Sequence, residues 1–405
     1  MGQIEEVGRL PERVLVNFFY AHPVGHAVEA LHYCLGHHAA GPDREISVAL
    51  NAASAVRLAD FCPFVAARHA IEHPLLEPCE DSMERLGGLP RRWDWVLDDP
   101  RRLQDFQLET FPGLRDYYAA SDRHLLAGRG RTVVGADPPG YVPHQQLRFS
   151  LPRAAREAAA RRLAASEGNP GPARWIAVMP AGSSERALYP SLHSWQLILH
   201  ALGDAFPAVR IALLGKLRRD RRTATSIYRI ELDELLTNAT RPLDCFDIDL
   251  ADQLAIVEAC DIFLAPHTGF GLAALAVGTP WLAISGGRWF EYYFNHVPFR
   301  SIIPDVERYP SFSQFAPAAM VDDGEDGPRT PSMSRSRVRD DLDAIIAATG
   351  ELLDGSLTYE QALRDYFTVL LAAHQGDPSP IWSIDGVHRD YLPEETPHGS
   401  PHRRR

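Results

Sequence analysis

The sequence predicts the α/β class, with two doubly wound domains in which parallel strands are wrapped by helices. Three observations carry that expectation. The chain has 405 residues, more than one compact core usually needs. Short apolar runs alternate with amphipathic stretches in two successive blocks, the rhythm of strand–helix–strand crossovers. Between the blocks lies EGNPGP at 167–172, the strongest break signal in the chain, because Gly and Pro end both element types.

In the first block, VLVNFFY at 14–20 is an apolar strand, followed by a Pro23-Val24-Gly25 turn and a helix reaching about Gly36. ISVAL at 46–50 reads as a second strand, 54–61 as a short helix and WDWVL at 93–97 as a later strand. The Gly- and Pro-rich stretch 129–152 reads as loops, and 153–166 as an Ala/Arg helix. In the second block, strands are expected at 175–179, 209–214, 245–248, 262–265 and 281–284. Helices are expected at 191–206, at 251–259, after the loop at 266–269, at 336–353 and at 358–374. Asp249 and Asp252 bracket a helix start and read as capping residues. The division is therefore 1–168 and 173–350, then helices at 351–380 and a disordered tail at 381–405.

Apolar residues make up 45% and charged residues 23%, the balance of a globular protein. A net charge of −12 argues against a general nucleic-acid or membrane-surface binder, because polyanions are repelled overall. Lys216 is the single lysine; the other 40 basic residues are arginines. Five cysteines without CxxC spacing suggest neither a disulfide framework nor a zinc site, and a reducing cytoplasm is the expected home. No run approaches the roughly 18 apolar residues of a membrane span.

Two loops offer chemistry. In the segment 261–280 a buried strand runs into His267-Thr268-Gly269-Phe270-Gly271, and a helix begins at once. Free N–H groups of that helix start, with the Thr268 hydroxyl, suit a phosphate, and Gly269 and Gly271 would let a ligand approach the backbone. The same residues also fit a plain strand-to-helix turn in which Gly271 serves packing. The loop after strand 175–179 holds Gly182, Ser183, Ser184 and the cation Arg186. Two hydroxyl-bearing loops at neighbouring strand ends would grip a nucleotide diphosphate, with Arg186 or Lys216 neutralising charge on the leaving group. The competing reading is a helix N-cap with a surface arginine. There is no Walker A triplet.

The segment from Trp175 to about Asp305 resembles the nucleotide-sugar domain of the lipopolysaccharide heptosyltransferase family (glycosyltransferase family 9), within the GT-B fold. Gly182-Ser-Ser184 with Tyr189-Pro190 and Trp195, Leu213-Leu-Gly215, and Asp261 through Pro280 echo the family's motifs. Three positions depart from them: His267 stands where the family has Asp, Leu272 where it has His, and Arg186 one residue before the family's Lys. The resemblance implies two Rossmann-like domains facing across a cleft, with the helices of 351–380 crossing back onto the first. It also implies metal-independent, inverting transfer from a sugar nucleotide to an acceptor hydroxyl, with no cofactor beyond that donor. The acceptor is open between a small molecule and a glycolipid.

In the first block His26, directly after Gly25, takes the position of the family's Asp base. A neutral imidazole at a helix start is a competent general base near pH 7, and Glu29 one turn on would orient it. His22 is the second candidate, and helix capping is the plain alternative. His32, His37 and His38 together with these invite a metal reading, which we discount for lack of acidic partners at ligand spacing. His37-His38 instead suit a helix end. The aromatic run 289–294 offers a stacking wall for a nucleobase, with Glu291 touching base or sugar hydroxyls, or else a core face. The other readings left open are a fucosyltransferase-like enzyme, a nucleotide-sugar epimerase and a catalytically idle nucleotide-binding protein. A Rossmann oxidoreductase is disfavoured, since no GxGxxG follows the first strand.

Overall fold

The computed structural model describes residues 12–20, 24–136, 138–165, 174–218, 224–239, 241–287, 293–311 and 319–393. The chain divides into two units, the first ending at Pro152 and the second beginning at Arg153.

The first unit runs β1 (Arg13–Phe18), α1 (Val24–Ala40), β2 (Glu45–Asn51), β3 (Ala67–Ile71), α2 (Ser82–Arg85), β4 (Arg92–Asp98), α3 (Asp105–Thr110), α4 (Pro112–His124) and β5 (Leu126–Val133). All strands pair in parallel, in the order β3-β2-β1-β4-β5. The central β1 is buried almost end to end, so it reads as a continuous apolar run rather than an alternation. Leu15, Phe19, Trp93, Val96, Leu114 and Tyr117 form much of its core, where the Phe19 and Tyr117 rings stack at 3.8 Å. Past β5 the chain returns over α1. The Tyr141 ring lies where a Cβ on Gly36 would stand, and Arg44 donates to the carbonyls of His37 and Gly140 at 2.8 and 2.6 Å. His37 Nδ1 also bonds Gly140 O at 3.2 Å.

The second unit runs α5 (Arg153–Ala165), β6 (Arg174–Val178), α6 (Leu192–Ala205), β7 (Val209–Gly215), α7 (Arg229–Asn238), β8 (Pro242–Phe246), α8 (Leu250–Ala259), β9 (Ile262–Pro266), α9 (Gly269–Val277), β10 (Trp281–Ile284) and β11 (Phe299–Ile302). It ends in α10 (Arg335–Asp340), α11 (Leu342–Asp354) and α12 (Tyr359–Ala373). Its parallel sheet has the order β11-β10-β9-β6-β7-β8. Ser191 and Asp249 cap α6 and α8 with their side chains, accepting from Ser194 N–H and Ala251 N–H. Gly278 closes α9 in the left-handed conformation, φ 93°, which costs glycine least.

Four expectations change. The 153–166 helix does not belong to the first domain: as α5 it packs on α8, with Arg156 Nε 2.6 Å from Glu258. Instead of crossing back, α12 buries Leu363, Tyr366 and Phe367 in the second unit's own core. The tail is not wholly loose, because Ile381 and Ile384 are buried and short 3-10 turns lie within Ile384–Asp390, interrupted at left-handed Asp385 and Gly386; residues from 394 on lie outside the described set. The 336–353 helix is two, α10 and α11. The break at 167–172 also falls outside the described residues.

Candidate functional site

In both sheets the strand order reverses beside the first strand, between β1 and β4 and between β6 and β9. At such a point the loops leaving neighbouring carboxyl ends run to opposite faces, and a crevice opens between them.

In the second unit the crevice lies between the β6 and β9 loops. Thr268 is the N-cap of α9, yet its side chain caps nothing. The residue is 6% exposed, and Oγ1 is buried with no hydrogen-bond partner. A buried hydroxyl without a partner costs free energy, and it stands beside first-turn N–H groups that have no acceptor within their helix. The β6 loop touches it: a Cβ on Gly182 would lie 3.3 Å from Thr268 Cγ2 and 2.5 Å from the Tyr189 hydroxyl. Ser183 and Ser184 are exposed, and Ser184 N–H donates to Tyr189 Oη at 3.1 Å. The loop after β7 bonds the β6 loop. Gly182 O accepts from Ser226 N–H at 2.8 Å, and Lys216, half-buried at the end of β7, is tied to Thr225 through its backbone.

Several site expectations are reassigned. Arg186 makes two bonds to Glu231, at 2.7 and 2.5 Å, and its guanidinium lies 4.0 Å over the Tyr228 ring. Burial pulls Glu231 toward protonation, but the bonds from Arg186 and Tyr228 N–H outweigh it and hold the carboxyl below its usual range. Arg186 is thus engaged within the protein rather than aimed at a diphosphate. Phe270 is a core residue, its ring 5.6 Å from Phe263. Gly271 serves packing, since a Cβ there would stand 2.3 Å from the Trp281 ring. His267 is half-buried, 6.0 Å from Trp281 between ring centroids, and Gly269 is half-buried in the first turn of α9. Glu291 and residues 289–292 lie outside the described set; of that aromatic run, Tyr293 and Phe294 are core.

In the first unit the reversal point is filled with charge. Asp98 ends β4 and Asp99 follows it, both fully buried. Asp98 accepts from Asn17 at 2.7 Å, from Arg102 and from Arg131; Asp122 bonds both arginines. Arg101 bridges Asp99 at 2.9 Å and the fully buried Glu29 at 3.0 Å. Burial pushes the Glu29 and Asp99 carboxyls up, against the pull of Arg101. Glu29 is therefore the partner of Arg101, which corrects its expected role beside His26. His26 lies half-buried in the first turn of α1, after buried Gly25, its ring 5.0 Å from that of Tyr20, over which the Arg101 guanidinium also lies at 5.3 Å. His22 lies outside the described residues. His37 is no helix-end cation: burial first, and then Arg44, lower its pKa to about 4. Among the described residues no three of His, Cys, Asp and Glu are grouped so as to hold a metal ion, and no helix is long and apolar enough to cross a membrane.

Sequence reasoning missed Glu231, Tyr228, Asp98, Asp99, Arg101, Arg102 and Arg131. The run Asp98-Asp-Pro-Arg-Arg102 at a strand end was the available signal.

No protein-family model matches the sequence, and no curated protein matches it. Solved structures do. A family 9 glycosyl transferase from Veillonella parvula superposes with a TM-score of 0.55 at 11% identity, covering 84% of this chain and 99% of that one. The Escherichia coli ADP-heptose lipopolysaccharide heptosyltransferase II gives 0.49 at 13% identity, over 84% and 99%. A putative UDP-N-acetylglucosamine 2-epimerase from Listeria monocytogenes gives 0.42 at 10% identity, over 92% and 99%. With its two parallel sheets and interleaved helices, this chain has a fold similar to that of a family 9 glycosyl transferase.

Proposed function

We propose that the protein is a glycosyltransferase that takes a sugar from a nucleotide-diphosphate donor and delivers it to an acceptor hydroxyl. One observation carries the reading: the buried, unpartnered Thr268 hydroxyl at the start of α9, with the Gly182–Ser184 loop against it at the sheet's reversal point. Helix-start N–H groups and a hydroxyl bind a diphosphate without a cation, which suits a protein of net charge −12. Ser183, Ser184 and Lys216 border the same loops and complete the donor set. The similarity to a family 9 glycosyl transferase supports the same class.

In the proposed chemistry His26 takes the proton from the acceptor hydroxyl as that oxygen attacks the anomeric carbon. Nucleoside diphosphate leaves, configuration inverts, and no metal takes part. The acceptor is a small molecule or a glycolipid bearing a free hydroxyl.

The test is direct. Nucleoside diphosphates should raise the melting temperature of the wild type, and Thr268→Val should reduce that shift. His26→Ala should abolish release of nucleoside diphosphate from a cognate sugar nucleotide while leaving diphosphate binding intact. Absence of any nucleoside-diphosphate shift in the wild type would refute the donor site.

A further inference from the structure

We infer that Tyr228 is the stacking platform for the donor's nucleobase, an inference that rests on the donor reading above. Tyr228 caps α7 on the β7 side of the crevice and is 62% exposed, an uncommon placement for a tyrosine ring. Its exposure is one-sided. Arg186 covers one face at 4.0 Å, and Arg186 is pinned in turn by two bonds to Glu231. Glu231 also accepts from Tyr228 N–H at 2.6 Å, so ring, guanidinium and carboxylate form one closed unit. The ring is held before any ligand arrives, which lowers the ordering cost of a stacking partner.

The placement fits the phosphate loops. Thr268 abuts Gly182, and Gly182 O holds Ser226 N–H at 2.8 Å. Ser226 Oγ in turn donates to Ser184 O. Tyr228 is two residues further, within about 8 Å along the backbone at 3.8 Å per residue. A nucleotide whose diphosphate sits on the start of α9 thus has the ring within reach of its base, past the exposed Ser183 and Ser184. Stacking tolerates any base, because every base has a π-face, so the platform grips purine and pyrimidine donors alike. This also gives Arg186 a role: its charge acts through the Tyr228 ring rather than on the diphosphate.

Calorimetric titration of the full chain with ADP, UDP, GDP and inorganic pyrophosphate tests the assignment. The wild type should bind each nucleoside diphosphate more tightly than pyrophosphate. Tyr228→Ala should weaken the nucleoside diphosphates roughly ten-fold or more and leave pyrophosphate unchanged. Tyr228→Phe should bind like the wild type, since it keeps the ring. Thr268→Val should weaken both probe types. If Tyr228→Ala binds nucleoside diphosphates like the wild type while Thr268→Val does not, the platform is wrong and the donor site stands. If the wild type binds neither probe, both readings fall.

Discussion

Thr268 sets up a conflict that one substitution can expose. Its Oγ1 is buried without a protein partner, so it bears a desolvation cost that a bound ligand would relieve. Thr268→Val removes the hydroxyl at nearly constant shape. It should raise stability by up to about 1 kcal/mol while weakening nucleoside-diphosphate binding, two effects of opposite sign read by urea titration and calorimetry. His37 offers a pH counterpart. The unfolded chain protonates this histidine near its ordinary 6.5, but the folded chain only near 4. Between those values the unfolded state binds more protons, so stability falls as pH is lowered from 6.5 to 4, by about 2–3 kcal/mol. Urea midpoints measured across that range should decline, and His37→Gln should flatten the decline.

At the scale of elements, α9 shows how a glycine is committed. Gly271→Ala would drive a Cβ into the Trp281 ring and should cost roughly 1–3 kcal/mol by thermal unfolding. In the first unit, Arg101→Met would strip the cation from two buried carboxyls and should cost about 3 kcal/mol at pH 7. Both carboxyls would then hold protons more tightly in the folded state, so the deficit should shrink as pH falls. The elements legible in the sequence were the central strands, because burial on both faces leaves unbroken apolar runs, and many of the helices; α4, which buries Leu114 and Tyr117 in the first core, was not read. The strands missed were β3, β5 and β11, each at a sheet edge: β5 reads LAGRGRTV and is half-exposed along its length. The two loops proposed to hold the diphosphate stood out in the sequence because each directly follows such a central strand. Arg186 was misjudged because its partner lies 45 residues away, and the Arg101–Glu29 pair spans 72. A separation of that size is fixed by topology, not by any local pattern.

On the whole-molecule scale, each unit has a sheet of its own, and the second has a core of its own that takes in α12 and Ile381. The second unit, 153–405, should therefore fold when expressed alone and bind nucleoside diphosphates as the full chain does; far-UV circular dichroism and calorimetry check both. It should show no transfer, since His26 is absent.

The two sheets share the order 3-2-1-4-5 in their first five strands, so the fold opens the same hollow twice. In the second unit that point carries the loops proposed to hold the donor; in the first, Asp98, Asp99, Arg101, Arg102 and Arg131 fill it with ion pairs. The first unit's reversal point is thus held by its own ion pairs, where the second unit carries the proposed donor loops. Nucleotide should slow hydrogen exchange at the β6, β7 and β9 loops and leave the β1 and β4 strand ends as protected as they already were.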